Sequence, residues 1–291
     1  MKSKSLTGNF NKLCKDTRRY YNNLLEDFKE EEIHDFRLGI KKLRALIRLV
    51  NTGAEKPLKL GKRIREFYSI TGQIRNLQLH RESIIQLCQN QEAQEPRVYQ
   101  ALIKNQLKIH QEAGRRIARK LSWSQWQDKC AERLPHRVDK EMVRIFLRQK
   151  YIILTGMLSQ NLNNDEVLHS IRKYCKDLLY VWDMIEHDWP PGFPIYFTGK
   201  EELEALTGLL GDFHDYCIHL QLFQNLFIPE VVSEEEKNRL LEYQQHWNGC
   251  KEKLKNEVLK ILQQSNHTST RVKSVKTPEG EEQNDRDFPP E

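Results

Sequence analysis

One segment near the start of the chain recurs at an offset of 135 residues. IHDFRLGIKKLRALIRL at 33–49 resembles LHSIRKYCKDLLYVWDM at 168–184. The segments that follow also match, FYSITGQIRNLQL at 67–79 with ALTGLLGDFHDYCI at 205–218, now at an offset of 139. The change of offset from 135 to 139 reflects a difference in loop length between the two copies. A chain duplicated in this way is expected to fold as two similar units that pack on each other.

The hydrophobic pattern between the loops is helical. Amphipathic stretches of roughly 20–30 residues are separated by polar or proline-containing breaks near 51–58, 90–96, 134–138, 159–165, 187–199 and 229–233. The chain has only 13 Gly and 10 Pro, too few for an all-β fold with frequent turns. We therefore predict about eight main helices.

These features predict an all-α fold of two tandem four-helix bundles. The helical region is expected to span 5–264, with the first repeat at 5–137 and the second at 138–264. Residues 265–291 are almost without apolar side chains and are predicted to form a disordered tail.

Several classes of protein are disfavoured by composition. No apolar run approaches the roughly 18 residues that cross a bilayer, and the first residues lack the apolar segment of a secretory signal. The six cysteines are far apart and form no CxxC pair, which disfavours a disulfide scaffold and a cysteine zinc site. We expect a soluble cytoplasmic protein that has no contact with a membrane.

Charge is divided unevenly along the chain. Residues 1–140 carry 30 Lys and Arg against 16 Asp and Glu, whereas 141–291 carry 17 against 25. Within 37–65 there are ten basic residues and a single acid, Glu55. Solvated helix faces normally mix their signs, because like charges three or four residues apart repel. The excess indicates either a polyanionic partner or docking onto the acidic half of the chain.

A basic stripe lies beside the apolar stripe of the helix that covers 33–50. At 100° per residue it comprises His34, Arg37, Lys41, Arg44 and Arg48, while Lys42 points elsewhere. Cations on the shoulder of a buried face line a groove between packed helices, where their stems lie on apolar surface and their charged ends converge. Arginine binds phosphate through two parallel hydrogen bonds, and lysine acts as a compact charge.

The second copy keeps part of this stripe. His169, Arg172 and Lys176 recur, while Leu179 and Asp183 replace the last two cations, and Lys173 projects off the stripe. The second half-site is therefore expected to be weaker. The helix after the first stripe is expected to add Lys59 and Arg63 at one edge of its apolar face and Arg75 on the other side.

A metal enzyme is the main catalytic alternative. Glu31/His34 and Glu166/His169 both have the ExxH spacing that di-iron proteins use twice in one four-helix bundle. Arg37 would repel a dication on the same face, and the two motifs fall in different repeats. The sequence also contains no glycine-rich phosphate loop, no nucleophile elbow and no magnesium-binding carboxylate cluster. We therefore expect no enzymatic activity, metal or cofactor.

The two stripes and the segments after them, ITGQIRNLQL and LTGLLGDFHDYCIHL, resemble the CHAD family of histidine-containing α-helical domains. The resemblance covers nearly all of residues 5–264. It implies two pseudo-symmetric four-helix bundles with a basic groove or pore between them that binds inorganic polyphosphate without catalysis. By position it assigns this role to His34, Arg37, Lys41, Arg44, Arg75, His169, Arg172 and Lys176, with His214 opposite Arg75 in the second copy.

The sequence departs from the family pattern at several positions. Asn76 and Gln78 stand where members usually have acids, and Leu179 replaces a cation. Many members join this domain to a triphosphate-tunnel catalytic domain, for which no motif is present, so a stand-alone binder is expected. Polyphosphate is the predicted partner, with other polyanions as secondary ligands and polyphosphate granules as a site of association.

Two other functions remain open. A nucleic-acid-binding module could use the same basic surface, and a structural adaptor could use the acidic half to dock a protein partner.

Overall fold

The computed structural model describes residues 6–52, 54–188 and 199–272. Within these ranges the chain forms ten α-helices and no strand. They are α1 (Leu6–Glu26), α2 (Glu30–Val50), α3 (Lys62–Asn90), α4 (Arg97–Ala118), α5 (Trp123–Ala131), α6 (Lys140–Leu158), α7 (Asp165–Tyr180), α8 (Trp182–Ile185), α9 (Lys200–Leu226) and α10 (Glu234–Val272). All except α5 and α8 have 16 residues or more, which confirms the prediction of about eight main helices.

The packing of the helices repeats as the sequence does. In the first repeat α1 packs on α2, α2 on α3, and α3 on α4; in the second, α6 packs on α7, α7 on α9, and α9 on α10. Equivalent helices also meet across the repeats, α2 with α7 and α3 with α9. This is the arrangement that a pseudo-twofold relation between the repeats requires. The boundary proposed between residues 137 and 138 falls between α5 and α6.

Apolar side chains form three clusters in the described part of the chain. The first joins α1, α2, α5 and the start of α3, and includes Phe36 and Phe67. The second joins α6, α7, the start of α9 and the end of α10, and includes Phe146 and Phe213. Each of these two clusters belongs mainly to one repeat.

The third cluster is shared between the repeats. It contains Ile84 from α3, Tyr99 from α4, Phe223 from α9 and Trp247 from α10, all buried. The long helices α3 and α9 therefore leave their own repeat's core and continue into a common one. Because burial of apolar surface is the main stabilising contribution to folding, the two repeats stabilise each other.

Helix α10 is longer than its counterpart in the first repeat. There, α4 ends at Ala118 and α5 begins a new helix, whereas α10 continues without a break and places Val258 and Leu262 in the second cluster. It runs on to Val272, beyond position 265, at which the sequence places the start of the tail. Extending a formed helix is much easier than nucleating one, so polar residues can prolong it. Residues 273–291 lie outside the described residues.

Two sequence-based exclusions can be compared with the structure. All six cysteines lie in the described part of the chain and are free. No helix among the described residues is long and apolar enough to cross a membrane.

Gly39 of α2 lies against Thr17 of α1. A Cβ at Gly39 would overlap Thr17 Oγ1 and lie 3.0 Å from Thr17 Cβ. Thr17 is buried and its hydroxyl donates to the Leu13 carbonyl at 2.7 Å, so it has little room to move. We expect Gly39→Ala to lower the free energy of unfolding by about 1–3 kcal/mol, as measured by urea denaturation.

The matched control is Gly156→Ala in α6. Nothing lies within 4 Å of its added Cβ, so the better helix propensity of alanine should raise stability by up to about 1 kcal/mol. If Gly39→Ala and Gly156→Ala were equally stable, the predicted clash between the new Cβ at position 39 and Thr17 would be ruled out.

Candidate functional site

Helices α2, α3, α7 and α9 surround a cleft of about 700 Å³ at the junction of the repeats. We call it the central cleft. Its lining, taken from the described residues, is His34, Arg37, Leu38, Lys41, Arg44, Arg48, Tyr68, Arg75, Asn76, Leu79, His169, Arg172, Lys173, Lys176, Asp177, Tyr180, His214 and Asp215. Eight of these are Lys or Arg and two are Asp, so cations dominate the lining.

Ten of the twelve site residues predicted from the sequence line this cleft. They are His34, Arg37, Lys41, Arg44 and Arg48 from α2, Arg75 from α3, and His169, Arg172, Lys173 and Lys176 from α7. The two stripes meet because α2 packs directly on α7. Lys42 is exposed and is not part of the lining, as the helical periodicity predicts.

Lys59 and Arg63 are placed elsewhere. Lys59 lies in the loop before α3, so its predicted position on that helix is wrong; the buried Leu58 and Leu60 hold this loop against the first cluster. Arg63 is exposed and bonds Glu66 Oε2 at 2.7 Å.

Lys59 lines a second pocket of about 430 Å³ next to the central cleft, which we call the side pocket. Its described lining is Arg44, Ile47, Arg48, Asn51, Leu58, Lys59, Leu60, Arg65 and Tyr68.

An arginine packed over a helix glycine occurs in both repeats. Arg37 Nη1 donates to the Tyr68 carbonyl at 2.7 Å, and its guanidinium carbon lies 4.4 Å from the centre of the Tyr68 ring. A Cβ at Gly72 would lie 2.6 Å from Arg37 Nη1. In the second repeat a Cβ at Gly211 would lie 3.7 Å from Arg172 Nη2. The aligned glycines therefore leave space for the aligned arginines.

Lys41 lies where cations from both repeats converge. Its pKa is lowered to about 8, most strongly by burial and then by repulsion from Arg37, Arg172 and Lys176, against a smaller opposing effect of Asp215. It forms no ion pair with any described acid. A half-buried ammonium that is still mostly charged near pH 7 and has no ion-pair partner is costly unless an anion from outside the chain lies beside it.

Two histidine rings lie together on the second-repeat side of the cleft. The rings of His169 and His214 have centroids 4.3 Å apart. Burial lowers the pKa of His214 to about 3, with His169, Arg172 and other neighbouring cations contributing, and it lowers the pKa of His169 as well. Both rings are therefore neutral near pH 7. The Nδ1 atom of His169 is buried without a hydrogen-bond partner.

Acidic side chains neutralise part of the cleft. Asp177 accepts from Arg48 and, at 2.7 Å, from Lys150 Nζ. Lys150 is buried, and burial lowers its pKa against the attraction of Asp177. Arg75 forms an ion pair with Glu30 at 2.8 Å. Arg48 and Arg75 are thus partly satisfied within the protein, whereas Lys41 is not.

The structure adds residues that the sequence-based set omitted. Tyr68, Tyr180, Asp177 and Asp215 line the cleft, together with His214, which the resemblance places opposite Arg75. The repeat contained a signal for Asp215, because the offset of 139 aligns it with Asn76. The other three could not be found this way, since their position depends on how α3 and α7 pack.

The ExxH motifs do not come together into one site. His34 and His169 both line the central cleft, but neither Glu31 nor Glu166 does, and Glu31 lines a small pocket at the start of α2 instead. Among the described residues no group of three or more His, Cys, Asp or Glu side chains is close enough to hold a metal ion.

Fold and cleft together define an all-α protein with a duplicated helical array and a cation-lined cleft between its copies. The family model for the CHAD domain matches residues 10–224. The chain therefore belongs to the CHAD family, which confirms the resemblance seen in its sequence.

A solved structure shows the same fold. The crystal structure of the CHAD domain from the plant Ricinus communis is similar with a TM-score of 0.58 and 14% sequence identity, and the match covers 94% of this chain and 92% of that chain. A search of curated proteins found no match.

Proposed function

We propose that this protein binds linear inorganic polyphosphate in the central cleft and does not catalyse its turnover. Support comes from the convergence of cations of both repeats on a space that a chain of phosphates can enter. The main observation is Lys41, which lies half-buried among Arg37, Arg172 and Lys176 and forms no ion pair with a described acid. An anion in the cleft would restore the favourable environment that burial removes from this ammonium.

A repeating anion suits this arrangement better than a single one. The cations lie along the lengths of α2 and α7, so successive phosphates would meet successive turns of each helix. Arginine side chains at Arg37, Arg44 and Arg172 would bind phosphate oxygens in pairs. Gly72 allows the Arg37 guanidinium to lie close against α3, where its contacts with Tyr68 limit the entropy lost on binding.

Absence of catalysis is part of the proposal. Phosphoryl transfer requires a positioned nucleophile, and usually metal ions that neutralise developing charge. Of the two acids in the cleft, Asp177 pairs with Arg48 and Lys150, and Asp215 lies near the cations Arg172, Lys41 and Arg75. We expect the chain-length distribution of polyphosphate to be unchanged after prolonged incubation with the protein and Mg²⁺, as judged by ³¹P NMR.

The test of binding is calorimetric titration with medium-chain polyphosphate at about 0.15 M salt, repeated with an oligonucleotide of equal phosphate count. We expect tight binding of polyphosphate and weak binding of the oligonucleotide, because bases would have to enter a cleft shaped for a bare chain. Affinity for polyphosphate should fall steeply with salt as counterions are released.

The competing functions give different results in the same experiment. Equal binding of both ligands would favour a general polyanion or nucleic-acid binder. No binding of either would favour an adaptor whose cations are satisfied by its own acids, as Arg48 and Arg75 already are in part.

A further inference from the structure

The side pocket combines an apolar floor with a cationic rim. Its floor consists of the buried side chains of Ile47, Leu58 and Leu60. Its rim carries Arg44, Arg48, Lys59 and Arg65, and no acid is among the described residues that line it. The volume of about 430 Å³ is in the range of small-molecule sites, which is about 300–1,000 Å³. Such a lining suits a ligand with both an apolar and an anionic part.

The loop that forms the floor is held in place from two sides. The Asn51 side-chain Nδ2 donates to the Leu58 carbonyl at 2.8 Å, and its Oδ1 accepts from the Leu58 backbone N–H at 2.7 Å. Trp126 Nε1 donates to the Lys59 carbonyl at 2.9 Å. The pocket is therefore formed before any ligand binds, which lowers the cost of ordering it.

The side pocket adjoins the central cleft. Arg44, Arg48 and Tyr68 line both spaces. The guanidinium carbon of Arg44 lies 5.6 Å from the centre of the Tyr68 ring, so planar groups of both residues stand at the junction. A ligand that fills both spaces would have its phosphates in the cleft and its apolar part on Ile47, Leu58 and Leu60.

We propose that the side pocket binds the nucleoside end of a nucleoside polyphosphate whose phosphate chain lies in the central cleft. This inference rests on the proposed function. A bare phosphate chain gains nothing from an apolar floor, whereas a nucleobase removes that floor from water and can stack on guanidinium planes. The pocket should prefer purines to pyrimidines, because the larger purine ring covers more of the apolar floor.

The experiment compares inorganic tetraphosphate with adenosine 5′-tetraphosphate, titrated calorimetrically into the full chain at about 0.15 M salt. We expect the nucleoside to tighten binding by about tenfold. Saturation-transfer NMR should show base protons receiving magnetisation from protein methyl groups. Arg65→Ala should remove most of the nucleoside's advantage, because Arg65 is on the pocket rim. Arg63→Ala is the matched control, with the same charge change two residues away on an exposed position outside the pocket.

The outcomes separate this inference from the proposed function. Equal affinity for the two tetraphosphates would overturn the nucleoside site and leave polyphosphate binding intact. If adenosine 5′-tetraphosphate kept the same advantage over inorganic tetraphosphate in Arg65→Ala as in Arg63→Ala, the base would bind elsewhere. That result would also overturn the nucleoside site. If neither tetraphosphate nor longer polyphosphate bound, both proposals would fail together.

Discussion

Replacing Lys41 and Arg44 together by glutamate is expected to abolish polyphosphate binding and to leave the helix content unchanged. Lys41 lies between the cations of the two repeats, and Arg44 lines both the central cleft and the side pocket. Each substitution removes a phosphate contact and adds a carboxylate that competes for the remaining cations. The loss of affinity should be about 100-fold or more at physiological salt.

The fold should tolerate this change. A glutamate at position 41 would be surrounded by Arg37, Arg172 and Lys176, and so would gain ion pairs where the lysine has repulsion. Circular dichroism and calorimetric titration of the same preparation would measure folding and binding side by side.

The matched control is the double variant Lys42→Glu, Lys62→Glu. It changes the net charge by the same amount, and both lysines are exposed and lie outside the two spaces. Its affinity should decrease only slightly, because long-range attraction is screened at this ionic strength. If the two double variants weakened binding equally, the effect would be due to net charge and not to the stripe on α2.

Acidification is expected to destabilise the protein through two buried histidines in the core that the repeats share. His80 on α3 and His219 on α9 are buried, with ring centroids 5.4 Å apart. Both rings pack on Trp247, at 5.0 Å and 5.6 Å between centroids. His80 Nε2 is 2.9 Å from the Tyr99 hydroxyl, and the Nδ1 atoms of both rings have no partner.

The direction of the effect follows from the lowered pKa values. Burial lowers the pKa of His80 to about 3 and that of His219 to about 4, from 6.5 for an unburied histidine. The unfolded chain therefore binds more protons than the folded one below pH 6.5. Stability is fully present above that pH and is lost as the pH falls towards 4. Each histidine should remove about 3 kcal/mol by pH 4.5, which is a large part of a typical domain's stability.

His219→Phe tests this explanation, because phenylalanine keeps an aromatic ring against Trp247 and does not titrate. Urea denaturation at pH 7.5 and pH 4.5 should show a smaller loss of stability on acidification, by about 3 kcal/mol, than in the unaltered protein. His187→Phe is the control, since that side chain is 89% exposed. An undiminished acid sensitivity in His219→Phe would assign it to other groups, with His169 and His214 the next to examine.

The structure changes the interpretation of individual residues more than that of whole helices. Arg48 and Lys41 lie on the same predicted stripe, yet Arg48 forms an ion pair with Asp177 and Lys41 forms none with a described acid. Periodicity places both on one face of α2 but gives no information on what α7 brings opposite them. Lys59 was misplaced for a similar reason, since its loop is held by contacts with Asn51 and Trp126.

The helical class, the duplication, the eight main helices and the stripe from His34 to Arg48 follow from the amino-acid sequence. These depend on neighbours three or four residues apart and on the comparison of one repeat with the other, so they can be read along the chain. The packing of the helices is what lets α3 and α9 share a third core, brings His80 against His219, and puts Lys41 among the cations of both repeats. Those distances join residues more than a hundred positions apart. They are set by how helices pack, which the local pattern does not encode.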